Sequence, residues 1–173
     1  MKIYLIGYMA SGKTKLGCRL AGLTGFSFLD LDELFEMRYR LSVFDFFEKY
    51  GEEAFRRIEQ RLLLETEQLD RTVIATGGGT PCFPGNMDFI RQHGISIYIR
   101  MTIPDLAERL KQVRKKRPLL KDVPQGGMES FIEKQFAERE SFYLRADYIV
   151  DGPDITAEEI LKLPRIAAML NPS

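Results

Sequence analysis

Residues 7–14 read GYMASGKT, which fits the pattern G-x-x-x-x-G-K-[ST]. It follows the apolar run from Ile3 to Ile6 and precedes a sequence with helical periodicity that we expect to close near Gly25. A loop of this spacing turns backbone N–H groups inward around a phosphate, and the next helix adds its positive N-terminal end. We call residues 7–14 the phosphate loop; a tight turn without a nucleotide is the alternative.

Two side chains of the phosphate loop carry chemistry of their own. We predict that Lys13 reaches the outer phosphates of a nucleotide and that the Thr14 hydroxyl ligates Mg²⁺. Gly7 and Gly12 allow the backbone angles and the close approach to phosphate that this arrangement demands.

Composition excludes several classes of protein. Lys plus Arg and Asp plus Glu each number 25 in 173 residues, so the whole molecule does not attract nucleic acid or an anionic membrane. Cys18 and Cys82 form no C-x-x-C pair and fit a reducing compartment. No signal peptide is recognisable, and no apolar stretch approaches about 18 residues. We therefore expect one cytoplasmic, monomeric domain over residues 1–173, with no nucleic acid and no membrane as partner.

Five short apolar segments alternate with amphipathic stretches long enough to form helices. The segments are residues 2–6, 26–30, 72–76, 95–99 and 147–150. This alternation predicts a parallel sheet covered by helices on both faces, with ligands outside the carboxyl ends of the strands. Ser42, Thr102 and Thr156 predict helix starts, because a carboxylate follows each hydroxyl by three residues, and Pro164 should break or kink the last helix.

Two carboxylates, Asp30 and Asp32, follow the second predicted strand. If that strand continues, side chains two residues apart face the same side. Asp30 suits the shell of a Mg²⁺ ion on nucleotide phosphates, and Asp32 suits a hydrogen bond to, or proton removal from, the hydroxyl that is phosphorylated. The alternative is that both are strand-end or N-cap carboxylates of the next helix.

Three consecutive glycines, Gly77, Gly78 and Gly79, follow the third predicted strand. At the carboxyl edge of the sheet, their backbone N–H groups would be able to touch a ligand. A flexible turn is the alternative, although three glycines cost more conformational entropy than a plain turn requires.

Two arginines from different helices would suit a small carboxylic acid. Arg56 stands three residues before Glu59 in a helix opened near Gly51, and this spacing can fix the rotamer of one side chain for a two-pronged hydrogen bond. Arg139 lies on the apolar face of a helix predicted over 128–146, where a cation is costly without a partner. The alternatives are a solvated surface pair for Arg56 and snorkelling to the surface for Arg139.

The stretch 114–127, rich in Lys, Pro and Gly, predicts a closing lid. In this interpretation Arg117 swings over the nucleotide and stabilises charge on the transferring phosphoryl group. Solvated lysines are the alternative for Lys115 and Lys116.

In this order the motifs resemble those of shikimate kinases. They are the phosphate loop, Asp30-x-Asp32, Phe55-Arg56-x-x-Glu59, Gly77-Gly78-Gly79, Arg117-Pro118-Leu119-Leu120 and Arg139-x-x-x-Tyr143. The resemblance covers nearly the whole chain and implies a P-loop kinase-like α/β fold, in three α/β/α layers with five parallel strands in the order 2-3-1-4-5. It also implies Mg²⁺-dependent transfer of the ATP γ-phosphate to the 3-hydroxyl of shikimate, in aromatic amino acid biosynthesis.

The resemblance further implies roles for individual residues. Shikimate would contact Asp32, Arg56, Gly77, Gly78, Gly79 and Arg139. ATP would contact Ala10, Ser11, Gly12, Lys13, Thr14, Lys15, Arg109 and Arg117. Thr14 and Asp30 would serve the metal, and catalysis would fall to Asp32, Lys13 and Arg117. The substrate-binding subregion would span about 31–62 and the lid about 112–126.

Two positions depart from the family's usual pattern. Ala10 stands where glycine is common, and the loop tolerates alanine if its φ angle is negative. Lys15 stands where a hydroxyl residue is more typical, which removes one oxygen contact to the α-phosphate.

Two other functions are compatible with a phosphate loop. A gluconate kinase shares the loop and the fold but lacks the paired arginine motifs in this arrangement. A nucleotide-dependent switch is the nonenzymatic alternative, although the chain has no Asn-Lys-x-Asp guanine motif.

Overall fold

A computed structural model of the chain describes residues 1–113, 120, 123–124 and 126–170. Its centre is a sheet of five parallel strands, and all of them coincide with predicted segments to within one residue at either end. The strands are β1 (Lys2–Ile6), β2 (Ser27–Asp30), β3 (Thr72–Ala75), β4 (Ile95–Arg100) and β5 (Tyr148–Asp151). They lie in the order β2-β3-β1-β4-β5, which confirms the predicted fold class and strand order.

Helices cover both faces of the sheet. They are α1 (Lys13–Thr24), α2 (Leu31–Tyr39), α3 (Val43–Glu65), α4 (Asn86–His93), α5 (Ile103–Val113), α6 (Met128–Tyr143), α7 (Ala157–Ile160) and α8 (Pro164–Leu170). Short 3₁₀ turns span Thr66–Gln68 and Thr80–Cys82. Within the described residues, no helix is both long enough and apolar enough to cross a membrane.

The central strand β1 shows why the sheet is sandwiched between layers. All five of its residues are buried, as expected for a parallel strand covered on both faces. Ile3 and Leu5 pack into a core with α1, α7 and α8, whereas Tyr4 and Ile6 pack into a core with α2, α3 and α4. A third apolar cluster joins the phosphate loop, through Tyr8, to α5 and α6.

Most local signals in the sequence set helix ends as predicted. Gly25 ends α1 with a left-handed φ of 68°. The Ser42 side chain accepts a hydrogen bond at the start of α3, and Thr156 forms a capping box at the start of α7. Pro164 separates α7 from α8 and is the first residue of the latter. Gly51 (φ 83°) kinks α3, so a new helical segment follows it.

Two boundaries differ from the prediction. The helix expected over 128–146 ends at Tyr143. The strand β2 does not continue through Asp32, because the Asp30 side chain accepts hydrogen bonds from the backbone N–H groups of Asp32 and Glu33 and thereby starts α2. The assumption that placed Asp30 and Asp32 on one face of a strand is therefore wrong.

Candidate active site

The phosphate loop connects β1 to α1 at the carboxyl edge of the sheet. Gly7 has a φ of 144°, and a Cβ atom added there would lie 2.8 Å from the carbonyl oxygen of Ile99 on β4. Gly12 has a φ of 97° and occupies the N-cap position of α1. Both glycines are therefore required by backbone conformation, and the loop brings the N-terminus of α1 to the site where a phosphate would lie.

Ala10 does not meet the condition under which the sequence tolerates alanine. Its φ is +63°, which is the left-handed region that glycine enters freely and alanine enters at a cost of about 1 kcal/mol or more. The Ala10 carbonyl oxygen accepts a hydrogen bond from Arg109 Nη1 at 3.2 Å. The loop thus holds a strained alanine whose carbonyl is tied to α5.

The Lys13 side chain is buried against the backbone of the phosphate loop. Its ammonium donates hydrogen bonds to the carbonyl oxygens of Gly7 (2.9 Å) and Tyr8 (2.8 Å). The charge lies among oxygen acceptors of the loop, at the edge of the cavity that also contains Thr14 and Asp30. A phosphate oxygen that enters this cavity would therefore meet an ammonium group that the loop carbonyl oxygens already hold in position.

Each carboxylate oxygen of Asp30 accepts hydrogen bonds from a different part of the structure. Oδ1 caps α2, as the alternative interpretation expected, while Oδ2 accepts a hydrogen bond from the Thr14 hydroxyl at 2.6 Å. The two predicted metal ligands therefore lie side by side. Cap and candidate ligand are compatible roles for one carboxylate.

Two cavities meet at Asp32. The first, which we call the phosphate cavity, lies along the phosphate loop and includes Lys13, Thr14, Asp30 and Arg109 in its lining. The second, which we call the acceptor pocket, includes Arg56, Glu59 and Arg139 in its lining. The residues that line both are Met9, Asp32, Gly77 and Gly78. Asp32 is in the first turn of α2 and not on a strand, and it lies at the junction of the two cavities.

Arg56 lines the acceptor pocket and is held by carboxylates. Its Nη1 lies 2.7 Å from Glu59 Oε2, and its Nη2 lies 3.2 Å from Glu52 Oε1. The Arg56 side chain is only 13% exposed and that of Glu59 only 3%, so the surface-pair alternative is wrong. Burial opposes the charge of Arg56, but Glu59 and Glu52 outweigh burial and raise the pKa of the guanidinium.

The three glycines make room for this ion pair. A Cβ atom on Gly77 would overlap Glu59 Oε1, and one on Gly79 would overlap the guanidinium of Arg56. A Cβ on Gly78 would lie 3.0 Å from the backbone nitrogen of Met9 in the phosphate loop. The glycines thus allow charged side chains and the phosphate loop to approach the backbone, a reason that the sequence analysis did not include.

Arg139 enters the acceptor pocket from α6. It is 8% exposed, so the snorkelling alternative is wrong. Among the residues that the structure describes, no carboxylate forms an ion pair with it; its guanidinium carbon lies 5.9 Å from the centre of the Tyr8 ring. One helical turn further on, the Tyr143 hydroxyl donates a hydrogen bond to the carbonyl oxygen of Gly78 at 2.5 Å. The helix α6 therefore positions both an arginine and the glycine segment.

A third cavity extends from the phosphate loop toward β5. Its lining includes Lys15, Arg109 and Pro153, and the first two of these also line the phosphate cavity. Lys15 and Arg109 therefore lie where the phosphate cavity and this third cavity meet. Arg117 lies outside the described residues, as does most of the predicted lid, residues 112–126.

Comparison with known proteins decides the family. The family model described as shikimate kinase matches residues 9–164. The chain belongs to the shikimate kinase family. Its relatives include the shikimate kinase of Parabacteroides distasonis, 39% identical over 91% of each chain, and that of Thermoanaerobacter pseudethanolicus, 40% identical over 91% of this chain and 90% of the relative.

Solved shikimate kinases have the same overall structure. The enzyme from Bacteroides thetaiotaomicron is 32% identical and covers 98% of each chain with a TM-score of 0.85. The enzyme from Acinetobacter baumannii, in complex with shikimate, is 30% identical, with a TM-score of 0.85 over 98% of this chain and 92% of that one. A gluconokinase from Sinorhizobium meliloti reaches a TM-score of 0.53 at 18% identity, a likeness of fold alone.

Two residues of this shikimate kinase homologue were not among the predicted site residues. Glu59 was named only as a partner of Arg56, yet it lines the acceptor pocket itself. Met9 lines both cavities. The spacing of Arg56 and Glu59 was a signal for the first, whereas nothing in the sequence distinguishes Met9 from its neighbours in the loop.

Proposed function

We propose that this protein transfers the γ-phosphoryl group of ATP to the 3-hydroxyl of shikimate, giving shikimate 3-phosphate and ADP. The observation that carries the proposal is the position of Asp32 at the junction of the phosphate cavity and the acceptor pocket. Membership of the shikimate kinase family supports the same acceptor. The A. baumannii relative, which is structurally similar over nearly the whole chain, binds shikimate.

The acceptor pocket has the groups that a small hydroxy acid needs. Arg56 and Arg139 line it from α3 and α6 and would meet the carboxylate, with two-pronged hydrogen bonds available from each guanidinium. The backbone of Gly77, Gly78 and Gly79 and the carboxylate of Asp32 would meet the hydroxyl groups.

The chemistry proposed for this chain is positioning and charge stabilisation. Asp32 orients the 3-hydroxyl and accepts its proton, at the point where that hydroxyl faces the phosphate cavity. Lys13 exchanges loop carbonyl oxygens for phosphate oxygens and stabilises charge on the transferring group. Arg117 would add a second cation, and Lys15 and Arg109 would hold the nucleotide beside the loop. The phosphoryl group then passes in line between two ligands that the protein holds in contact.

The residues of the phosphate cavity fit Mg²⁺. The Thr14 hydroxyl and the Asp30 carboxylate are adjacent oxygen donors, which this cation prefers. Among the described residues no group of three or more His, Cys, Asp or Glu side chains is placed to hold a metal, as expected for an ion held mainly by phosphate and water. When bound, Mg²⁺ would neutralise phosphate charge, with Thr14 and Asp30 as its protein partners.

The test is a panel of hydroxy acids, with ATP and Mg²⁺, in which ADP release is measured. We expect turnover with shikimate and little with gluconate, because the chain belongs to the shikimate kinase family and resembles a gluconokinase in fold alone. Turnover of gluconate alone would contradict the proposal. Binding of ATP without phosphorylation of any acceptor would favour a nucleotide-dependent switch. The cytoplasmic location and the monomeric state stay predictions.

A further inference from the structure

One residue of the phosphate loop touches both halves of the candidate site. The Tyr8 carbonyl oxygen accepts a hydrogen bond from Lys13 Nζ at 2.8 Å, on the donor side. The Tyr8 ring, which is 1% exposed, lies with its centre 5.9 Å from the guanidinium carbon of Arg139, on the acceptor side. Backbone and side chain of a single residue therefore link the predicted phosphate lysine to the predicted carboxylate arginine.

The ring of Tyr8 rests on one face of α6. Its centre lies 5.2 Å from that of Phe136, with an interplanar angle of 31°. Phe136 and Arg139 are three residues apart, so both point from the same face of the helix. The Tyr8 ring thus packs on an aromatic side chain and a cation at once, which fixes where the ring can lie.

The two arginines of the acceptor pocket are held in different ways. Arg56 has two carboxylate partners, Glu52 and Glu59. Arg139 has no ion-pair partner among residues 1–113, 120, 123–124 and 126–170. Within these residues, the aromatic ring that lies within cation–π distance of Arg139 is that of Tyr8. A guanidinium over an aromatic face is attracted by the ring quadrupole while its N–H groups stay available to a ligand. Arg139 therefore keeps an uncompensated charge for the substrate carboxylate.

The hydroxyl group of Tyr8 has no part in this arrangement. Its oxygen is buried, and no described residue forms a hydrogen bond with it. Burial raises the pKa of Tyr8 to about 12, even though the charge of Arg139 acts to lower it, so the phenol stays neutral. The aromatic face is the functional part of the side chain, and phenylalanine retains it.

We propose that Tyr8 is a positioning residue for Arg139, whose ring orients the guanidinium toward the substrate carboxylate from a point fixed in the phosphate loop. This inference rests on the proposed function, since it assigns Arg139 to the carboxylate of shikimate. The inference goes beyond the proposed function because it assigns a part in acceptor recognition to a residue of the phosphate loop.

The test compares Tyr8→Phe, Tyr8→Leu and the control Leu106→Val in the full chain. The measured quantity is the ratio of kcat/KM for shikimate to kcat/KM for shikimate methyl ester, which has no charge for Arg139 to bind. Tyr8→Leu should lower this ratio about tenfold through the KM for shikimate, whereas Tyr8→Phe should keep it within about twofold. Leu106→Val disturbs the same apolar cluster from α5 and leaves the aromatic rings of Tyr8 and Phe136 in place, so it should affect both acceptors alike.

A second series keeps the shape of the side chain and preserves the fold. Phenylalanine carrying one, two or three ring fluorines at position 8 weakens the quadrupole stepwise. The KM for shikimate should rise with each fluorine, while the KM for ATP stays within about twofold. An unchanged KM for shikimate across this series, with an active wild-type enzyme, would overturn the inference. A wild-type protein without activity on shikimate would instead contradict the proposed function.

Discussion

Glu59 uses both of its carboxylate oxygens to hold Arg56 beside the glycine segment. Oε2 lies 2.7 Å from Arg56 Nη1, and Oε1 accepts a hydrogen bond from the Thr80 hydroxyl at 2.6 Å. The Glu59–Thr80 hydrogen bond joins α3 to the turn after β3, and the residues between that strand and Thr80 are Thr76 and the three glycines. Arg56 consequently enters the acceptor pocket in one orientation.

Glu59→Ala should impair both stability and acceptor binding. The substitution removes the more buried of the two carboxylate partners of Arg56 and leaves only Glu52, which is 49% exposed, so the free energy of unfolding should fall by about 1–3 kcal/mol. The freed Arg56 should raise the KM for shikimate about tenfold or more. Glu53→Ala is the matched control, because Glu53 pairs with Arg57 and both side chains are more than 70% exposed. Denaturant unfolding and acceptor kinetics measure the two effects; equal behaviour of the two variants would refute the role of Glu59.

Gly79→Ala should weaken shikimate binding by steric conflict. The added Cβ would occupy the position of the Arg56 guanidinium, so that side chain has to leave its place. We expect the KM for shikimate to rise about tenfold, with the KM for ATP little changed.

Gly22→Ala provides the control for this glycine substitution. Gly22 lies in α1 and is exposed, and a Cβ there would meet nothing within 4 Å. Alanine should stabilise the helix by about 1 kcal/mol or less and leave the kinetics unchanged. A wild-type KM in Gly79→Ala would show that the predicted overlap does not matter.

Ala10→Gly should stabilise the protein. Glycine relieves the left-handed strain at φ +63° but adds entropy to the unfolded chain, so the net gain is about 0.5–1 kcal/mol. The midpoint of thermal unfolding should rise by about 1–4 °C. At Ala137, an exposed position inside a helix, the same substitution should lower the stability instead of raising it. A fall in Tm for both variants would contradict the strain at Ala10.

Asp147 should make stability depend on acid pH. Burial acts to raise its pKa, but hydrogen bonds from the Ser96 N–H and hydroxyl, together with Arg165, outweigh burial and lower the pKa below its usual 3.8. A lowered pKa gives stability that is present above the unfolded-state value and is lost as pH falls through the folded-state value.

Asp147→Asn should therefore be less stable than the wild type at pH 7, with a difference that shrinks as the pH falls below about 4. Unfolding curves at several pH values measure it, and Asp154→Asn, on an exposed side chain, is the control. Parallel pH profiles for Asp147→Asn and the wild type would contradict the ion pair's contribution.

The sequence predicted the parts of the fold that local chemistry decides. Helix caps such as Ser42 and Thr156 depend on residues three positions apart, and glycine at position 25 ends a helix by its own backbone freedom. The sequence left open whether the strand continues past Asp30 or whether Asp30 caps the next helix, and the structure shows the cap, with the second carboxylate oxygen of Asp30 bonded to Thr14.

The parts of the site that depend on contacts between distant residues were harder to predict from the sequence. The spacing of Arg56 and Glu59 predicted their pairing, but their burial depends on Thr80, which is 21 residues further along the chain. The contact between Tyr8 and Arg139 joins residues on a loop and a helix with no local signal. For Ala10, the residue type was recognised as unusual, whereas the sign of φ follows only from the path of the loop.

The most direct test of the central claim is the identity of the phosphorylated product. Purified protein with ATP, Mg²⁺ and shikimate is followed by phosphorus NMR, which detects coupling between phosphorus and the ring proton on the phosphorylated carbon. We predict one new phosphomonoester, coupled to the proton at carbon 3, and its loss in Asp32→Asn. A phosphate on another hydroxyl, or inorganic phosphate as the only product, would contradict the account.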